Sequence, residues 1–279
     1  MSQPPGWKTL ADGGESNAVV LAIDFDATGR PEARFSDLVA NLTTDCAVWE
    51  TVPPPMATPA SRDGAAYVDY WSRRVREEGR EVRAVLGYCA GAVYAAALSE
   101  RLGDRQDAEP LLLLFDPELV VPQTLLWQFH KVVGFMSSVI PEEEINAARE
   151  AGLRAHDSHP GILELRDALI GVVRKVGEPA FARAGLDAAL REELFTAFGS
   201  FMWYLAAAGG IDPRERWQLA QAFSSATPMS GLNAMRASGI GPDQVSVGRE
   251  IAVDVEHGSM LADKQIAKTV SQLLEQSSF

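Results

Sequence analysis

The sequence predicts an α/β protein with a mostly parallel central sheet, helices on both faces and a large helical insertion. Three observations lead there. Over residues 1–117, short apolar runs alternate with helical spacings and short connections, the pattern of a parallel sheet with right-handed crossovers. The apolar runs are nearly continuous, as strands buried on both faces must be. From 118 to 224 strand signals vanish and helical periodicity takes over, in a stretch too long to be a loop. The expected division is a core of 1–117 and 225–279 with a helical insertion, read as a lid, at 118–224.

Each element has its own signal. Residues 1–17 are polar, contain Gly and Pro, and read as a loose arm. Asn17 to Phe25 carries Val19, Val20, Leu21, Ile23 and Phe25, a buried strand. Phe35, Leu38, Val39 and Leu42 have helical spacing, and Cys46 to Thr51 is a second strand stopped by Pro53, Pro54 and Pro55. Asp63 can cap a helix lined by Tyr67, Val68, Trp71 and Val75, with Gly79 closing it. Val82 to Leu86 is the third strand, Ala92 to Leu102 an alanine-rich helix, and Leu111 to Phe115 a fourth strand ended by Asp116-Pro117. Helical stripes in the insertion include Leu126/Phe129/Val133, Leu163/Leu169/Val172 and Phe195/Phe198/Met202/Leu205. Thr227 to Met235 and Ile251 to Val255 are expected as the last strands. Ala262 to Gln276, with Ile266, Val270, Leu273 and Leu274 on one side, is the last helix.

Composition narrows the classes. Of 279 residues 47% are hydrophobic, enough for a sizeable core. The net charge of −13 repels phosphate backbones and anionic bilayers, so neither nucleic acid nor a membrane is an expected partner. Met1 to Lys8 lacks the basic and apolar regions of a signal peptide, and the expected location is cytoplasmic. The uncharged stretch Leu194 to Ile211 is interrupted by Thr196, Ser200, Tyr204 and glycines, and reads as a buried helix rather than a span. Two cysteines, Cys46 and Cys89, make neither a disulfide framework nor a zinc site. No metal site is expected.

Chemistry concentrates at Gly87-Tyr88-Cys89-Ala90-Gly91, where a buried strand turns directly into a helix. That is the setting of a nucleophile elbow, G-x-nucleophile-x-G. The nucleophile sits in a strained backbone conformation, so residues two before and two after it must be small. The helix N-terminus then favours a thiolate and aims a backbone N–H at a developing oxyanion. Asp116 ends the next strand and so shares the rim of the sheet with Cys89. His257 follows the last strand on that rim, while His130, His156 and His159 fall in the insertion. Nucleophile, acid and base occur in the order of the α/β-hydrolase triad.

With the elbow, Asp116 after the next strand, the helical insertion and His257-Gly258-Ser259-Met260-Leu261, the chain resembles the thioesterases of nonribosomal peptide and polyketide assembly lines. The resemblance runs from about Asn17 to Leu274. It implies an α/β-hydrolase fold, a mobile lid over an acyl pocket, and substrates tethered to an acyl or peptidyl carrier protein through phosphopantetheine, with no cofactor of the enzyme's own. It implies Cys89 as nucleophile, His257 as base and Asp116 as orienting acid. The backbone N–H groups of Ala90 and of Asp26 or Ala27 would form the oxyanion hole. Two features depart from the family. Cys89 stands where most members have Ser, and Asp24-Phe25-Asp26-Ala27-Thr28-Gly29 replaces a Pro/Gly-rich loop.

A cysteine nucleophile changes the chemistry. An acyl-Cys is itself a thioester, so its formation from a carrier thioester is near thermoneutral and the intermediate stays activated. Transfer to an amine, alcohol or second thiol is then expected alongside hydrolysis. Tyr88, Phe198, Met202 and Trp203 are candidates to line the acyl pocket and lid. Arg73, Arg74, Arg76, Arg80 and Arg83 form a basic cluster that an acidic carrier could meet, although Glu77 and Glu78 favour an ordinary solvated helix face. Two other readings compete: a small-ester or lactone hydrolase of the dienelactone hydrolase type, which shares a G-x-C-x-G elbow but places its acid after a later strand, and a non-catalytic module that binds an acyl chain or partner.

Overall fold

The computed structural model describes residues 6–14, 16–26, 31–55, 63–240 and 244–277. It divides into two compact units, one of Met1–Leu119 with Ile211–Phe279 and the other of Val120–Gly210.

The first unit is built on a seven-stranded sheet of order β1-β3-β2-β4-β5-β6-β7. Its strands are β1 (Trp7–Ala11), β2 (Ala18–Ile23), β3 (Ala47–Thr51), β4 (Glu81–Tyr88), β5 (Leu111–Phe115), β6 (Gln221–Ser224) and β7 (Arg249–Ala252). β1 runs antiparallel to β3, and the other neighbours are parallel. All of β2 is buried, as its unbroken apolar run requires.

Period-two alternation along β4 sorts its side chains between the two faces. Leu86 and Tyr88 join Val20, Val48 and Phe115 in a cluster with Phe35 and Leu38 of α1 (Phe35–Val39) and Ile266, Val270 and Leu274 of α10 (Lys264–Gln276). Gly87 instead meets α3 (Gly91–Gly103). Beside α3 lies α2 (Gly64–Glu77), where the Trp71 ring meets that of Tyr94 edge-on. Asp63 caps α2 by accepting from the Ala66 N–H at 2.8 Å.

Three expectations need correction. The arm is not loose throughout, because Trp7–Ala11 forms the antiparallel edge strand; its Trp7 is buried and donates to the Trp71 carbonyl at 3.1 Å. The strand expected at Thr227 to Met235 is instead β6 at Gln221–Ser224, followed by the helix α9 (Gly231–Ala237). Consequently the chain returns to the sheet unit before 225, through Ile211 onward and the short helix α8 (Arg214–Trp217). The Trp217 indole N–H donates to the Ala92 carbonyl at 3.1 Å, tying α8 to the first turn of α3.

The second unit holds α4 (Pro122–Phe135), α5 (Glu142–Ser158), α6 (Ile162–Arg183) and α7 (Ala188–Ala208). Small residues let its helices approach. Phe129 of α4 lies against Gly152 of α5, and Phe195 of α7 against Gly177 of α6, where an added Cβ would come within 2.8 Å of the ring. No helix among the described residues is long and apolar enough to cross a membrane.

Candidate active site

The site is built where β4 and β5 end. The Cys89 N–H donates to the Phe115 carbonyl at 2.9 Å, one step beyond the β4–β5 ladder, and the chain then turns sharply into α3. Cys89 sits at φ +50°, in the left-handed region that costs a side-chain-bearing residue about 1–3 kcal/mol. The turn is possible because Gly87 has no side chain. A Cβ there would come 2.6 Å from the Ala92 Cα and 2.7 Å from the Ala95 Cβ.

Asp116 repeats the device at the end of β5. Its φ is +44°, and it and Cys89 are the two non-glycine residues at positive φ among those described. Its N–H donates to the Phe223 carbonyl at 2.9 Å, and its fully buried carboxylate is held at both oxygens. Oδ1 accepts from the Ser225 N–H, and Oδ2 from His257 Nδ1, each at 2.8 Å. Gly231 closes the underside, where an added Cβ would lie 2.7 Å from the Asp116 Cα.

His257 begins a short 3-10 turn, His257–Ala262, between β7 and α10. Its backbone N–H donates to Thr227 Oγ1 at 2.8 Å, and the next carbonyl, that of Gly258, accepts from the Ala33 N–H. The imidazole stacks on the Tyr88 ring, with centroids 4.8 Å apart and planes at 19°. The Tyr88 hydroxyl donates to the His257 carbonyl at 3.1 Å. With Nδ1–H given to Asp116, the neutral imidazole keeps the Nε2 lone pair for a proton.

The sulfur has a different neighbour. Cys89 Sγ–H donates to Glu118 Oε2 at 3.4 Å, and the Glu118 N–H donates to the Cys89 carbonyl at 3.3 Å. Burial first and the Glu118 charge second push the thiol well above its ordinary value, with Asp24 adding to the effect. The Ala90 backbone N–H pulls the other way.

The remaining predicted site residues fall as follows. Ala90 is buried at the start of α3. The Asp26 carboxylate is engaged by Lys8 at 3.0 Å and Arg34 at 3.3 Å, and Ala27 lies outside the described residues. Tyr88 was expected to line a pocket; it is instead 2% exposed and backs His257. Phe198 and Met202 are buried on α7, and the half-buried Trp203 lies under the Arg166 guanidinium at 3.7 Å. In the arginine cluster, Arg74 pairs with Glu77 and Glu78, Arg80 lies over Trp49, and Arg83 donates to the Ser277 carbonyl. Among the described residues no three His, Cys, Asp or Glu side chains gather as metal donors.

No family model matches the chain, and no curated protein matches it by sequence. Solved structures match by shape. A four-domain nonribosomal peptide synthetase bound to AMP and glycine aligns over 99% of this chain at a TM-score of 0.58 and 14% identity. This chain spans 20% of that synthetase's length. A hydrolase from Oleispira antarctica gives a TM-score of 0.53 at 13% identity, covering 96% of this chain and 94% of its own. The fold is the α/β-hydrolase fold. The NocB thioesterase domain from the nocardicin cluster matches it too, at 0.51 and 16% identity over 97% of this chain and 99% of that domain.

In this α/β-hydrolase fold, sequence reasoning missed Glu118, Gly231 and Ser225. Glu118 had one legible signal, a carboxylate two residues past the strand-ending acid across a proline. The positive φ at Asp116 that turns the chain back over the elbow is not written in composition or spacing.

Proposed function

We propose that the chain is an enzyme acting on acyl or peptidyl thioesters through a covalent acyl-Cys89 intermediate, with His257 as base and Asp116 as its orienting acid. The substrate is carried on the phosphopantetheine of a carrier protein in the cytoplasm. What supports this reading most is the Asp116–His257 hydrogen bond of 2.8 Å on the rim that also bears Cys89 in its left-handed turn. That acid follows β5, not a later strand, which favours the thioesterase type over the dienelactone hydrolase type. The nearly full-length match to thioesterase-domain folds agrees with it.

In this mechanism the Cys89 S–H proton passes to His257 Nε2 as sulfur attacks the thioester carbonyl. The oxyanion is met by the Ala90 N–H and a second donor from Asp26 or Ala27. The tetrahedral intermediate collapses, the C–S bond to pantetheine breaks, and the His257 proton goes to the departing thiol. Acyl-Cys89 then meets water, amine, alcohol or a second thiol, which gives its proton to His257 and takes the acyl group as the C–S bond to Cys89 breaks; His257 returns that proton to the Cys89 sulfur.

Intact-mass measurement with a panel of acyl-pantetheine thioesters tests this. One acyl group should add to the wild-type protein and none to Cys89→Ala. Turnover that persists in Cys89→Ala removes the covalent role. Rapid lactone cleavage with no loading from thioesters replaces the reading with the small-ester hydrolase.

A further inference from the structure

Resting on Cys89 as the nucleophile, one contact goes beyond the acid–base–nucleophile set: the sulfur is bonded to Glu118. Two hydrogen bonds tie this residue to the elbow, one from the thiol to its carboxylate and one from its backbone N–H to the Cys89 carbonyl. The three-residue turn Asp116-Pro117-Glu118 fixes that approach. Asp116 is locked in the left-handed region, Pro117 is buried with its φ set by its ring, and Glu118 follows directly. Among the described residues the thiol makes no hydrogen bond to His257.

We propose that Glu118 gates the nucleophile. Its carboxylate holds Cys89 as a neutral thiol turned to Glu118, and the thiol passes to His257 only when substrate displaces or neutralises that carboxylate.

The physical argument is one of charge. A thiol can donate to a carboxylate at this distance, whereas a thiolate there faces a like charge that hydrogen bonding no longer bridges. Many cysteine nucleophiles rest as a thiolate beside an imidazolium. This arrangement favours the other state, a thiol, so proton transfer belongs to the attack itself. The charged and polar groups bearing on the sulfur come from three strand ends. Glu118 after β5 and Asp24 after β2 oppose the thiolate, and the Ala90 N–H after β4 favours it. His257 stands next to Tyr88, with its Nδ1 given to Asp116. Of the two acids only Glu118 bonds the sulfur; Asp24 Oδ1 accepts from the Phe25 N–H at 2.7 Å. Once Cys89 is acylated the S–H is gone, so the gate acts on loading and not on release.

The test is the pH dependence of Cys89 alkylation by iodoacetamide, located by peptide mapping because Cys46 is a second thiol. It needs no acyl substrate, so the gate stands or falls separately from the thioesterase reading. Wild-type protein should alkylate with a midpoint above the usual thiol value of about 8.5. Glu118→Gln, which keeps the shape and drops the charge, should lower that midpoint by about one unit or more, which is about tenfold faster alkylation below the midpoint. Glu118→Ala should move it in the same direction. Profiles with an unmoved midpoint overturn the proposal. That includes a rate raised by one factor at every pH, which marks loosened packing alone.

Discussion

At the ends of β4 and β5 two residues with side chains, Cys89 and Asp116, hold φ of +50° and +44°, whereas in the helical unit the residue at positive φ is Gly185 at +80°. Gly185 ends α6 in the usual way. Its N–H bonds the Ala182 carbonyl, and the Leu186 N–H bonds that of Phe181, the pattern in which glycine closes a helix without strain. The ion pairs differ in the same sense. Arg174 and Glu192 meet at 2.8 Å in solvent, where such a pair contributes little. In the sheet unit Glu50 is 1% exposed beside Lys8, and burial raises it to about 7. The helical unit follows local rules, and the sheet rim departs from them at the residues of the proposed chemistry. Strain persists there because neighbouring contacts over-determine it.

The strongest way to break that comparison is to show that the strained pair has no chemical role. Asp116→Asn keeps a residue that tolerates left-handed backbone but leaves His257 Nδ1 without a carboxylate. Acyl loading should fall about a thousandfold or more with little change in thermal stability. An unchanged loading rate would mean that the strain serves packing alone.

Next in size is Gly231→Ala. Its Cβ would press on the Asp116 backbone, and Gly231 itself is at φ +53°, so about 1–3 kcal/mol of stability should be lost along with loading activity. The matched change Gly185→Ala in the helical unit meets no atom within 4 Å and should cost only the left-handed strain. Urea unfolding of both variants gives the difference.

Glu50→Gln sharpens the contrast of charges. The carboxyl is raised when folded, so the native state binds its proton more tightly. That contribution is full below about pH 4.5 and is lost as pH rises through about 7. Gln removes the buried charge, so the variant should gain on the order of 1–3 kcal/mol relative to wild type at pH 8, and lose the gain toward pH 4.5. Thermal melts across pH measure it, and a difference that does not vary with pH would refute the assignment.

Much of the sheet was legible. β2, β4 and β5 are apolar runs between turn signals, and the elbow, Asp116 and His257 were named from their places at strand ends. Two short strands were not. β1 reads Trp-Lys-Thr-Leu-Ala and gains its partner only from β3, far along the chain. β6 is four residues long, too brief for a period, and the apolar residues after it belong to α9. α5, rich in Glu, Ala and Arg, buries only a narrow stripe of Ile145, Ala148, Gly152 and Ala155, so it had no strong apolar signal. At the site, the Cys89–Glu118 contact depends on a backbone angle, and angles at a single residue leave no pattern in sequence.

The left-handed turn at Cys89 is a property of the chain and of Gly87, not of the atom that ends the side chain. Scaffold and reagent are therefore separable. On the proposed acyl-Cys89 route, oxygen in place of sulfur would inherit the same placement, while the intermediate would change from an energy-conserving thioester to a less activated oxoester. On that route one atom would decide whether the rim stores the acyl group's reactivity for a later acceptor or dissipates it.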